Sequence, residues 1–342
     1  MNVERRRFLQ CTSALSLSAL ASCHGGAKAK VLAALVRDVA VPDSAAAVDA
    51  SRQLRVSVAK LVGTPTPASL ETARDEWKKA LLAWTRVRCF PSPESTVSRV
   101  LSWPARPEAV EVVLRDSKPM SANFLDNVGP DAKGLFALEY IFFPPGAQPE
   151  AAVAQFVGRE GGRRRRLTAE VSKDTVASAE ALSKALGDGT SYGQTFADAG
   201  QESINRVVDQ MVATAESVSA KRIGAILGLD RDRLTQPVDV EGGLSGLSRD
   251  IVLAEIEATE RIYRSGLREL VPSASAGVDE HVQAAFSAAV TALRKLAGPL
   301  EQVARDDRAS LEAAGAKTKA LAVALKTELA QALGVKLSVR GA

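Results

Sequence analysis

Leu70, Ala73, Trp77, Leu81 and Trp84 recur at intervals of three and four, the spacing that places side chains on one face of an α-helix. The spacing returns in Ile204, Val207, Val208, Met211, Ala215 and Val218, and again in Val282, Ala285, Phe286, Ala289, Leu293 and Leu296. Leu321, Leu325 and Leu329 make a fourth stripe. Each stripe must bury its apolar face against another element, so the chain is committed to helix-on-helix packing. Residues 44–61, 165–186 and 249–268 also read as helices. Thr66 stands where it can cap the first stripe, with Pro67 at the first helical position, and Gly334 can end the last one in the left-handed conformation. Only "STVSRVLSW" (95–103) and "VKLSV" (335–339) suggest strands, and both are short. The reading is an all-α protein of antiparallel helix bundles.

The N-terminus is set apart from this body. "MNVERRRFLQCTSALSLSALASC" has a basic start, a modestly apolar stretch and then small residues, which reads as a signal peptide over residues 1–22. Arg5, Arg6, Phe8 and Leu9 resemble the twin-arginine export pattern; the general secretory route stays open. "LASC" resembles the lipobox of bacterial lipoproteins, which implies cleavage before Cys23 and a lipid on its thiol. The expected location is therefore outside the cytoplasm, lipid-anchored and periplasm-facing. By the same resemblance, His24 rather than aspartate after the cysteine points to an outer membrane where the organism has one. With Cys11 removed and Cys23 acylated, Cys89 is the one cysteine left. No intramolecular disulfide and no Cys-based zinc site can form, and Cys89 reads as a core residue.

The net charge of +4 falls on processing, because Arg5, Arg6 and Arg7 leave against Glu4 alone. That balance calls for no nucleic-acid partner. The "RRRR" run at 163–166 reads as a solvated helix start. Irregular stretches at 89–107, 142–150, 187–193 and 234–250 punctuate the helices. The break near residue 190 divides the mature chain into a tether and first helix (23–42), an N-terminal bundle (43–187) and a C-terminal bundle (193–342). The long connections at 89–107 and 234–250 are candidates for function.

One carboxylate interrupts an apolar run. In "GLFALEYIFF" (134–143), Glu139 must find a cation, a metal or hydrogen-bond donors, or else hold a proton. This stretch resembles the G-x-H-x-x-E motif of the imelysin-like, or M75 peptidase, family of exported bacterial proteins, with Gly134 and Glu139 in register. "WKKALLAWTRVR" (77–88), "PVDVEGGLSGLSRDIV" (237–252) and "LKTELAQALGVKLSV" (325–339) resemble further blocks of that family in the same order. The resemblance implies an all-helical fold of two four-helix-bundle-like halves with a cleft between them. It also implies a link to iron uptake or, by the family's older classification, metallopeptidase activity.

The chain departs from the pattern at the motif histidine, which is Phe136. Phenylalanine has no lone pair for a metal. The remaining histidines are His24, in the tether, and His281, expected in an exposed first helical turn. Three environments for Glu139 follow. Arg86 or Arg88 could neutralise it. A hard cation such as iron could be held by Glu139 with Glu241 or Glu76 and the hydroxyls of Ser245 or Ser248. Or Glu139 could accept hydrogen bonds in a small-ligand cleft, where Trp84, Trp103 and Tyr140 would stack on a sugar. A zinc hydrolase needs three protein ligands and an open water position, which this inventory does not supply. Ser245 in "GGLSG" follows no strand, so it is no nucleophile elbow. The expected function is a membrane-anchored, non-catalytic binding protein, with a scaffold bearing a degenerate site as the alternative and a peptidase last.

Overall fold

The stripe at Leu70–Trp84 becomes the buried face of α2 (Pro67–Arg88), whose start is fixed locally. The Thr66 hydroxyl accepts from the Ser69 backbone N–H at 3.1 Å, and the Ser69 hydroxyl accepts from that of Thr66 at 3.0 Å. Preceding it, α1 (Val41–Gly63) continues a helix that already runs from residue 26 through a π-helical turn at Val36–Ala40. The first helix expected within 23–42 thus runs without a break into the helix expected from residue 44. The computed structural model describes residues 26–92, 94–121, 123–158, 161–187, 191–228 and 237–338. The signal peptide (1–22), Cys23, His24 and the mid-chain break at 188–190 lie outside the described residues.

Trp77 and Trp84 are fully buried, and each indole N–H has a partner: Trp77 donates to the Leu135 carbonyl at 2.8 Å and Trp84 to the Ser51 hydroxyl at 3.0 Å. After α2 come α3 (Glu94–Val100), α4 (Pro107–Arg115), α5 (Gly134–Phe142), α6 (Pro149–Val157) and α7 (Gly161–Leu186). α1 packs along α2 and α7, and α5 sits against α2 and α7. The second group contains α8 (Ser191–Asp198), α9 (Gln201–Glu216), α10 (Ala225–Gly228), α11 (Ser248–Arg264), α12 (Ala276–Arg294), α13 (Leu300–Asp306) and α14 (Arg308–Val323). There α12 packs on α14, and α9 on α14 and α11. α11 also packs on α2, so the buried apolar cluster runs without interruption from one group to the other. The described residues contain no strand. The fold is all-α.

Two expectations fail on packing grounds. The strand-like "STVSRVLSW" lies largely in α3, because Val97, Val100 and Leu101 all bury at helical spacing; the β-branched Val97 and Val100 gave a false strand signal. Residues 335–338 run without regular structure and pair with no strand. The arginine run is no solvated helix start either. Arg163 donates to the carbonyls of Val113, Leu114 and Lys118 at 2.7–3.0 Å, satisfying acceptors at the end of α4. Arg164 is buried against Glu111 at 3.2 Å, and Arg165 donates to the Phe156 carbonyl near the end of α6. Only Arg166 pairs on the surface, with Glu170 at 3.0 Å. Free helix-end carbonyls draw the guanidinium groups inward, and no periodicity announces that.

Candidate functional site

Gly134 fixes where α5 starts. Its φ is +78°, and a Cβ there would stand 2.6 Å from the Val100 carbonyl oxygen and 2.9 Å from that of Arg99. The motif glycine is therefore required twice, by the left-handed backbone and by the close approach of α3. Gly134→Ala is expected to cost about 2 kcal/mol or more, read as a lower urea midpoint at unchanged slope; an unchanged midpoint would show that α3 yields freely. From this anchor α5 runs almost wholly buried. Phe136 packs edge-on against Trp103, with ring centroids 5.3 Å apart.

Glu139 is 1% exposed. Its partner is neither expected arginine. One carboxyl oxygen, Oε1, accepts from the Ser245 backbone N–H at 3.0 Å and from the Ser245 hydroxyl at 2.7 Å. Ser245 lies in the turn that enters α11, shaped by Gly242 and Gly246 at φ +74° and +71°. Burial pushes the Glu139 carboxyl up to about 8; the two Ser245 donors lower it only partly, while Glu241 and Glu301 raise it further. At neutral pH this side chain is mostly a neutral acid. Of the two expected partners, Arg86 is exposed on α2 and Arg88 is engaged elsewhere.

Arg88 joins a buried ring of four charges. It meets Glu241 at 2.8 Å and Glu255 at 2.5 Å, and Arg222 meets Glu241 at 2.6 Å and also Glu255. Two guanidiniums and two carboxylates alternate, so the ring is neutral as a whole. Burial alone would raise the Glu241 carboxyl, but Arg88 and Arg222 outweigh it and hold the group below its ordinary range. Burial likewise opposes the Arg88 charge, and Glu255 and Glu241 overcome that and raise the guanidinium. Cys89 beside the ring is buried, and burial pushes its thiol up, so it stays an inert core thiol. Ser248 serves a third carboxylate: it donates to Glu301 at 2.6 Å and accepts from the Leu300 N–H at 2.8 Å. Burial raises the Glu301 carboxyl as well.

The residues expected to hold iron or another hard cation at the motif have other partners here. Phe136 offers no lone pair. Glu139 is predominantly protonated at pH 7 and engaged with Ser245. Both Glu241 oxygens are taken by arginines, and Glu76 pairs on the outer face of α2 with Lys79 at 2.7 Å. Among the described residues no three His, Cys, Asp or Glu side chains are arranged to hold a metal ion. Of the expected set Glu139, Glu241, Glu76, Ser245 and Ser248, only Glu139 and Ser245 meet among the described residues: Glu241 joins the arginines, Ser248 joins Glu301, and Glu76 is apart. His281 is exposed in α12 and pairs with Glu328 at 2.7 Å, so it supplies neither a ligand nor a base for Ser245. The expected sugar platform does not assemble either. Trp84 is enclosed beside Ser51, Trp103 covers Phe136, and the Tyr140 hydroxyl donates to Glu111 at 3.0 Å.

Sequence reasoning missed Arg222, Glu255 and Glu301. Glu255 had a usable signal, the same one that marked Glu139: a carboxylate on an apolar helical stripe, here Ile251, Val252, Ile256 and Ile262, all buried. Arg222 and Glu301 carry no such mark.

Among the described residues no helix is long and apolar enough to cross a membrane. A family model described as Imelysin (Peptidase M75) matches residues 40–333. The fold resembles the crystal structure of an imelysin-like protein from Psychrobacter arcticum 273-4, with a TM-score of 0.71 at 15% identity, covering 92% of this chain and 98% of that one. It also resembles a protein from Parabacteroides distasonis ATCC 8503 solved as a "putative iron-regulated protein A precursor", with a TM-score of 0.65 at 17% identity, covering 90% and 95%. No curated protein matches the sequence.

Proposed function

The chain belongs to the imelysin family, and on that premise we propose that it is a lipid-anchored, non-catalytic binding protein of the cell envelope that serves iron-linked uptake. The observation that carries the non-catalytic part is the state of Glu139: a protonated acid clasped by Ser245, beside a phenylalanine where the family motif has histidine. The motif holds the turn before α11 onto α5 and takes no resident metal. The iron link is supported by the name of the Parabacteroides distasonis protein of the same fold. Iron would be cargo in that process. Export and anchoring are supported by the basic, apolar and small-residue succession ending at Cys23.

Elemental analysis of the mature protein, purified without chelators, tests the central point. Sub-stoichiometric iron and zinc are expected, unchanged in Glu139→Gln. One equivalent of metal in the wild type that disappears in Glu139→Gln would overturn the reading. In cells, Cys23→Ser is expected to move the protein from the membrane to the soluble fraction; retention on the membrane would remove the anchor from the proposal.

A further inference from the structure

The ring of charges has a second face. Between α9 and α14 lies a cavity of about 910 Å³, open to solvent along one side, whose lining includes Arg88, Arg222 and Glu255. That size is in the range of small-molecule sites, on the order of 300–1,000 Å³. Both long walls change to a wider helix there: α9 passes into the π-helical stretch Ser217–Gly224, and α14 into Ala324–Leu329. π-helical turns are uncommon and gather at functional sites. Small and apolar side chains keep the space open, among them Ala213, Ala220, Ile223, Ala316 and Val323.

The charges of the lining nearly cancel in pairs, and what fails to cancel is informative. Arg88 and Arg222 are matched by Glu241 and Glu255 in the ring. Lys326 is matched by Glu216 at 2.8 Å, and Glu312 by Arg308 at 3.0 Å. Lys221 and Lys319 remain, with no carboxylate partner among the described residues. A cavity with apolar walls and two unmatched ammonium groups is complementary to a ligand with an apolar body and a negative group.

We propose that this cavity, distinct from the Glu139 motif, is the ligand site, and that it takes a small amphipathic organic anion. The negative group is drawn by Lys221 and Lys319, and the apolar body lies on the alanine and valine walls. The proposal rests on the reading of the molecule as a binding protein, and it names the ligand class.

The test uses the mature protein and 8-anilinonaphthalene-1-sulfonate, an aromatic monoanion, followed by its fluorescence. Saturable one-site binding is expected. The double variant Lys221→Glu/Lys319→Glu should weaken it at least tenfold. Ala316→Trp, at an exposed lining position outside the core, should abolish it, with the far-ultraviolet circular dichroism of both variants unchanged. No saturable binding by the wild type, or binding that survives both changes, overturns the proposal. Loss in Ala316→Trp without loss on charge reversal overturns the anionic class. Metal analysis of the same samples keeps the outcomes separate: one equivalent of metal at Glu139 defeats the non-catalytic reading, whatever the fluorescence shows.

Discussion

Arg88→Met is expected to lower unfolding free energy by about 3–5 kcal/mol, the range found when one member of a buried ion-pair set is removed. The reason is charge balance. With Arg88 gone, Glu241 and Glu255, both buried, share Arg222 alone and leave one negative charge uncompensated. The loss should appear as a lower urea midpoint with an unchanged slope. Adding Glu255→Met to Arg88→Met should restore much of the loss, because the ring returns to one pair, Arg222 with Glu241, and an apolar contact. A single-variant loss below about 1 kcal/mol would mean that water reaches the ring and screens it, as at exposed ion pairs.

Glu139→Gln should make the protein more stable near neutral pH, by about 3 kcal/mol at pH 7. Folding raises this carboxyl from 4.5 to about 8, so between those values the folded chain holds a proton that the unfolded chain has released. The contribution of the group is fully present below pH 4.5, declines as pH rises, and is lost through pH 8. Glutamine keeps the acceptor for Ser245 and has no proton to lose. Urea unfolding from pH 5 to 8 should show wild-type stability falling relative to the variant across that window. Glu301, also raised by burial, remains in both proteins, and its interaction with Glu139 is part of the difference. A gap between the two that stays constant with pH would show that Glu139 is ionised in the folded state, and the clasp would then be a charged one.

Much of the helical framework was legible because its signal is periodic and local. The stripes on α2, α9, α12 and α14 bury almost residue for residue, and the Thr66 cap and the left-handed Gly334 follow from the same short-range rules. α3 was misread because seven residues are too few for periodicity to outweigh β-branched composition. In the site, the presence of a problem was legible and its solution was not. An acid in "GLFALEYIFF" must be compensated, yet Ser245 stands 106 residues away, and Arg88, an expected partner, turns to Glu241 and Glu255, 153 and 167 positions on.

The sequence by itself determined an all-helical body, a glycine before a buried acid, and the absence of a nitrogen ligand at Phe136. Each is a matter of residue type and spacing, readable within a few turns of chain. Only the tertiary structure decided that a hydroxyl and an amide meet that acid, that the arginines close a neutral ring, and that a cavity opens on the ring's other side. Partner choice among buried charges depends on which side chains arrive within about 3 Å of one another, and helix packing across distant segments sets that distance.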